Sequence, residues 1–268
     1  MKWTIGSTTR PYSSIPFVDA CRRIADAGYS DVAVFGNEIT SKSSNKRVLE
    51  VREAATNVGL TPSMVLGRTE LTQGLDKGID DFKRLIDNVA EVGAKWLLDC
   101  GTSNPDDFAN FYELMRRVSP HAEASGVSIS LKPHGGITLT IEDLIRAYNK
   151  VNHPGFGLCY DPGNIIYYTK GKLRPEPFAE RIAPMTTTFI IKDCILNNET
   201  PDVMITPGNG LVDFEKVIGG LVNNGFNGPL FLECVGGTHL EDIDREIAES
   251  LDFVRCILKK ISELPRCE

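Results

Sequence analysis

The sequence predicts a single (β/α)8 barrel, the TIM-barrel architecture, over residues 1–268, and three observations predict it. Apolar, β-branched runs alternate with longer amphipathic stretches eight times, with no linker-like or low-complexity segment to divide the chain. Glycines stand just past the helical patterns at intervals of about 30 residues, the length of one strand–helix unit. An unbroken β-then-α order requires parallel strands with right-handed crossovers, which a chain of 268 residues satisfies by closing into a barrel. An open doubly wound sheet is the alternative. It expects a glycine-rich phosphate turn after the first strand, and Gly6-Ser7-Thr8-Thr9-Arg10 is not one.

The units follow in order. Strand Lys2–Ser7 leads to helix Pro16–Ala27, closed by Gly28, and strand Asp31–Gly36 to helix Asn45–Val58, closed by Gly59. Strand Thr61–Gly67 precedes helix Gly78–Val92 with Gly93 as its stop, where a left-handed residue is wanted. Strand Ala94–Gly101 precedes helix Pro105–Ser125, started by an Asn104 cap with proline in the first turn and stopped at Gly126. Strand Ser128–Pro133 leads to helix Ile141–Val151 through a Thr140–Asp143 capping box. Strand Phe156–Asp161 leads to helix Pro175–Ala183. Strand Thr186–Asp193 leads to helix Phe214–Asn224, capped by Asp213 after the turn-rich Pro207-Gly208-Asn209-Gly210 and stopped at Gly225. Strand Pro229–Val235 ends in helix Glu241–Ile261, with Thr238 and Glu241 as a second capping box.

Composition narrows the function classes. Hydrophobic residues at 41% and charged residues at 24% are ample for one sizeable core, and a net charge of −7 argues against a nucleic-acid partner. The amino-terminal residues lack the apolar core of a signal peptide, and no apolar run reaches membrane-spanning length. Seven cysteines without Cys-x-x-Cys spacing, several of them (Cys100, Cys159, Cys194, Cys234) within predicted strands, read as reduced core thiols of a cytoplasmic protein.

Barrel enzymes carry their chemistry at strand carboxyl ends. In the fifth strand, period-two alternation puts Ser128, Ser130, Lys132 and His134 on one face and the apolar Ile129 and Leu131 on the other, so Lys132 points into the mouth. Asp161 shares the inward face of the sixth strand with Gly157 and Cys159, and the Asp161-Pro162-Gly163-Asn164 that follows is good turn chemistry. The seventh strand offers Thr188, Ile190 and Lys192 inward. Glu233 ends an otherwise apolar eighth strand, where an unpaired charge is costly. Glu38 and Asp99 lie near other strand ends, and Gly208 and Gly210 stand where barrels often bind phosphate.

Four segments, Leu131-Lys132-Pro133-His134, Cys159-Tyr160-Asp161-Pro162-Gly163-Asn164, Ile190-Ile191-Lys192-Asp193 and the stretch from Thr206 to Glu233, together resemble the xylose isomerase-like barrel superfamily, especially its sugar epimerases and its sugar-phosphate and hydroxypyruvate isomerases. The resemblance implies a divalent ion held by a Glu, an Asp, a His and a Glu on the last four strands. Asp161 and Glu233 match; Lys132 replaces the first Glu and Ile190 the His. An ammonium and an isoleucine supply no lone pair, so no tightly bound metal and no other cofactor is expected, with weak divalent binding at Asp161 and Glu233 left open. The superfamily's nuclease branch needs many histidine ligands, and this chain has only four: His121, His134, His153 and His239.

The resemblance thus implies a sugar isomerase or epimerase moving a proton beside a carbonyl of a carbohydrate or keto-acid substrate. Glu233 is its base, Lys132 with Lys192 the electrophile beside Asp161, and His134 and Asn164 orient the substrate. Two alternatives are a lyase or aldolase that forms a Schiff base on Lys132, and a barrel that binds a sugar or partner without catalysis. The superfamily frequently forms dimers or tetramers, which leaves a homo-oligomer open, but no segment announces an interface; neither nucleic acid nor membrane is an expected partner.

Overall fold

The computed structural model describes residues 3–263. Its strands are β1 (Ile5–Thr8), β2 (Asp31–Val34), β3 (Thr61–Leu66), β4 (Trp96–Asp99), β5 (Ser128–Leu131), β6 (Phe156–Tyr160), β7 (Thr186–Ile191), a hairpin of β8 (Ile195–Asn197) with β9 (Thr200–Asp202), and β10 (Leu230–Leu232). The helices are α1 (Phe17–Asp26), α2 (Asn45–Thr56), α3 (Leu75–Val92), α4 (Phe108–Ala124), α5 (Ile141–Val151), α6 (Pro162–Tyr168), α7 (Ala179–Ile182), α8 (Phe214–Asn223) and α9 (Leu240–Glu263). Apart from the hairpin, all strands pair in parallel, and β1 closes the ring by pairing β2 on one side and β10 on the other. The expected (β/α)8 barrel is present. The start of the first predicted strand, Lys2, lies outside the described residues.

Alternation along the strands builds two cores. Outward residues such as Val32, Val65, Leu97, Ile129, Leu158 and Phe189 join the helices in the larger one. Inward residues Ala33, Phe35, Met64, Leu98, Cys159, Ile190 and Phe231 fill the barrel lumen. Gly6 makes room for that filling, because a Cβ there would stand 2.5 Å from the Phe231 ring. Below Ile190, toward the amino ends of the strands, Ser130 Oγ lies 2.7 Å from Thr188 Oγ1, a polar contact within the lumen.

Several boundaries differ from expectation. Asp161-Pro162-Gly163-Asn164 opens helix α6 instead of a turn: Asp161 is its N-cap and Pro162 its first residue. The predicted helix Pro175–Ala183 is broken into a 3-10 turn, the short α7 and a second 3-10 turn over Ala183–Met185, since Pro177 and Pro184 each lack an amide donor. The β8–β9 hairpin was unforeseen. Its strands have three residues each and its turn uses Asn198 and Glu199 at φ 48° and 66°, the geometry of a two-residue type I′ turn without its usual glycine. Helix α9 starts at Leu240, with Ile243 N donating to His239 O, so His239 and not Thr238 holds the cap position. The Thr140–Asp143 box and the Asp213 cap are formed as expected.

The long connection from β7 to α8 is organised by one buried side chain. Asp193 accepts four backbone amides, from Cys194 (2.8 Å), Gly208 (3.0 Å), Gly210 (2.8 Å) and Val212 (3.0 Å). The amides of Gly208 and Gly210 are therefore committed to Asp193. Asp193→Ala strands these amides in a buried place. The expected cost is about 3 kcal/mol of stability, measured by urea denaturation, with early protease cleavage between residues 195 and 212.

Candidate functional site

The inward residues that end β5, β6, β7 and β10 meet in one ionic cluster at the mouth. Lys132 Nζ lies 2.7 Å from Glu233 Oε2 and 3.2 Å from Asp161 Oδ2. Lys192 Nζ lies 2.6 Å from Glu233 Oε1, 3.1 Å from Asp161 Oδ2 and 3.2 Å from Asn164 Oδ1. Both ammoniums thus bridge both carboxylates, and all four residues are at most 2% exposed. Arg10 completes the group from above, its Nη1 2.8 Å from Glu233 Oε1 while 40% of its side chain remains exposed.

Local sequence explains the convergence. Lys132 is two residues beyond inward Ser130, and its backbone amide still donates to Asp99 O at 3.0 Å, so the strand geometry persists through it. Asp161, as N-cap of α6, accepts from Asn164 N at 3.0 Å with Oδ1, which leaves Oδ2 for the lysines. Gly163 lets α6 begin against the end of β7, since a Cβ there would stand 2.7 Å from Lys192 Cγ. Asn164 in turn donates from Nδ2 to Pro133 O at 2.8 Å, tying the ends of β5 and β6 together.

The electrostatics follow from burial on an apolar floor, where charges interact strongly. Burial alone pulls Lys132 toward neutrality, but Glu233 and Asp161 more than offset it and hold its pKa well above the ordinary lysine value. Burial pushes Glu233 up, and Lys132, Lys192 and Arg10 reverse this and leave it far below the usual carboxylate range. Three cations stand against two carboxylates, one positive charge in excess.

Of the residues singled out from sequence, Lys132, Asp161, Asn164, Lys192 and Glu233 are brought into contact. His134 is placed at the rim, exposed, its ring 4.9 Å from that of Tyr168. Desolvation by the surrounding mouth, then the two ammoniums, pull its pKa down to about 4. Arg10 was missed, although a signal existed: it continues the alternation of inward Gly6 and Thr8 one step past β1. Tyr12, two residues on, fixes this loop by donating to Asp244 Oδ1 of α9 at 2.5 Å, and Asp244 is also paired with Arg23. The remaining histidines serve elsewhere: His121 contacts Asp87 at 2.7 Å and His153 Nδ1 accepts from Gly155 N.

The donor set does not suit a four-ligand divalent ion. Lys132 and the lumen-packed Ile190 supply no lone pair to a metal, and both carboxylates are already paired with ammonium groups. Among the described residues no group of three or more His, Cys, Asp and Glu is placed to hold a metal ion, and no helix is long and apolar enough to cross a membrane.

The model of one protein family, xylose isomerase-like TIM barrel, matches residues 21–257. A curated relative, 3-dehydroshikimate dehydratase of Pseudomonas putida, is 23% identical over 226 residues. That match takes in 78% of this chain but 34% of the relative, so the chain spans about a third of that protein's length. Among solved structures, a xylose isomerase-like TIM barrel protein from Mycobacterium smegmatis in complex with magnesium superposes with a TM-score of 0.76 at 18% identity, over 96% of this chain and 98% of that one. D-psicose 3-epimerase from Clostridium cellulolyticum, solved with D-tagatose, gives 0.78 at 15% identity over 95% and 99%. At such identities these structures share the fold.

Asp99, at the end of β4, is buried and accepts from Gly101 N at 2.7 Å and Thr69 Oγ1 at 2.9 Å. Burial outweighs these bonds and pushes its pKa up to about 6. Its folded pKa therefore exceeds the unfolded value of about 3.9, the folded state holds the proton more tightly, and stability falls as pH rises from about 4 through 6. Asp99→Asn removes that loss. Between pH 4 and pH 7 the variant is expected to gain about 3 kcal/mol relative to the parent, read from urea midpoints at each pH.

Proposed function

The chain belongs to the xylose isomerase-like TIM barrel family, and from that premise we propose that it is a carbon-acid enzyme for sugar-like hydroxy-carbonyl compounds in which lysine ammoniums take the place of a divalent ion. One observation carries this reading: Lys132 and Lys192 bridge Asp161 and Glu233 at the carboxyl ends of the last four barrel strands.

The chemistry has three parts. Glu233 takes a proton from the carbon beside the carbonyl, the C–H electron pair forms the new C=C bond, and the carbonyl π pair moves onto oxygen. The Lys132 ammonium, assisted by Lys192, receives that oxyanion in a site where a fixed charge acts without solvent screening. Asp161 and Asn164 keep the ammoniums aimed and charged, and His134 with Tyr168 flanks the entrance. Delivery of a proton to the opposite face is an epimerisation, return to the neighbouring carbon an isomerisation, and transfer of the proton from Glu233 to a β-hydroxyl, which departs as water, a dehydration. This shared first step accommodates both the epimerases among the structural neighbours and the dehydratase among the relatives.

A Schiff base on Lys132 requires a neutral amine, and the two carboxylates favour the charged one. Proton transfer is therefore the reading that the electrostatics favour. The discriminating assay is proton NMR of hydroxy-ketones, sugars and keto-acids in D2O. The native protein is expected to exchange the hydrogen beside the carbonyl of one class, and Lys132→Met to slow this by at least about 1,000-fold. A Lys132→Met enzyme with native exchange rates would refute the assignment, and exchange with no compound would favour a binding barrel. Elemental analysis of the purified protein is expected to find less than a stoichiometric divalent ion, whereas Lys132→Glu with Ile190→His restores the four-ligand set and is expected to take up manganese.

A further inference from the structure

The mouth carries one positive charge more than its carboxylates neutralise, and that charge is the accessible one. Lys132 and Lys192 are buried between two carboxylates each, whereas Arg10 spans the boundary between the cluster and solvent. Its Nη1 is paired with Glu233, but among the described residues its Nη2 meets only the Met204 sulfur, at 4.0 Å. Met204 is itself 50% exposed on the loop after β9 and its thioether is easily displaced. A guanidinium with one edge on an internal carboxylate and the other toward solvent is half of a bidentate anion site.

Arg10 also closes the way to the base. Glu233 is 1% exposed and its two oxygens accept from three cations, so nothing reaches it while Arg10 stays in place. A neutral ligand has little to offer in exchange for the Arg10–Glu233 pair. An anion has a carboxylate of its own.

We propose that the substrate is a small carboxylate anion whose carboxylate takes Arg10 from Glu233, so that binding itself uncovers the base. Once Arg10 turns to the substrate, Glu233 Oε1 keeps Lys192 alone. The internal cluster is then two ammoniums against two carboxylates, and Glu233 becomes a better proton acceptor because one cation that held it ionised has gone. The bound anion cancels the excess charge, so the closed complex is neutral where the free site is not.

The anion is a carboxylate and not a phosphate ester, because the amides that barrels commonly offer to phosphate are occupied. Gly208 and Gly210 donate to Asp193, Gly237 donates to Glu246 Oε2 at 2.8 Å, and Gly236 donates to Thr206 Oγ1 at 3.1 Å, with Thr206 in turn on Glu246. Two internal carboxylates thus fill the loops after β7 and β10 where a phosphate would sit.

This inference rests on the proposed proton-transfer reading for its mechanism, but its test is one of binding. Calorimetric titration of the purified protein would compare glycerate, tartrate and gluconate, each with its neutral amide, and glycerol phosphate. At least one carboxylate is expected to bind more tightly than its amide and than glycerol phosphate. Arg10→Gln is expected to weaken that carboxylate by roughly 10- to 100-fold while leaving the amide unchanged, with Arg10→Lys intermediate. A melting temperature retained by Arg10→Gln would show that the weakening is not unfolding. The proposal is overturned if no carboxylate surpasses its amide, if Arg10→Gln binds it as tightly as the parent, or if glycerol phosphate binds best. Arg10-dependent anion binding without hydrogen exchange in any compound would leave this proposal standing and defeat the proton-transfer reading. Exchange on neutral sugars, insensitive to Arg10, would do the reverse.

Discussion

The bridging of Asp161 and Glu233 by Lys132 and Lys192 is the constraint on which the rest of the mouth depends. Four strands must end at the same level for these groups to meet, so register around the barrel is under chemical as well as packing control. Leu131 pairs with Leu158 and Leu232 with Ile191, which brings the next residues, Lys132, Cys159, Lys192 and Glu233, to adjoining heights. Removing any one partner leaves a buried charge uncompensated, a larger penalty than the pair's own net worth.

The ionic layer rests on a graded interior. Ala33, Met64, Leu98, Ile190 and Phe231 exclude water from below, and the neutral Ser130–Thr188 contact lies deeper still, beneath Ile190. The low polarity beneath strengthens every interaction above it. Ile190 completes the floor, and Lys192, one inward step higher, delivers charge above it.

Much of this was legible in the chain. Alternation and glycine spacing identify the eight units, and the inward parity of Lys132, Asp161, Lys192 and Glu233 follows from counting by two along their strands. Three things were harder to read. Arg10 lies past the end of β1, where parity is not normally extended. The hairpin β8–β9 is too short for periodicity and its Asn198-Glu199 turn lacks glycine. Asp161-Pro162-Gly163-Asn164 has the composition of a turn, and its cap-then-proline order, the same as at Asn104-Pro105, is the local signal that it opens a helix. For Arg10 the deciding information is held by a residue distant in sequence, Glu233.

The order in which the cluster's members occur along the chain has a consequence for biosynthesis. Arg10 emerges first, then Lys132, Asp161 and Lys192, and Glu233 comes last. Until β10 is made, a nascent barrel holds three cations against the single carboxylate of Asp161, and their mutual repulsion opposes burial. Tyr12, whose hydroxyl partner Asp244 lies on α9, is likewise unanchored. The mouth therefore assembles at the close of synthesis, in one step with ring closure. Without β10 the two lysines lack their second carboxylate, so the closing of the ring and the balancing of the mouth's charge are one event.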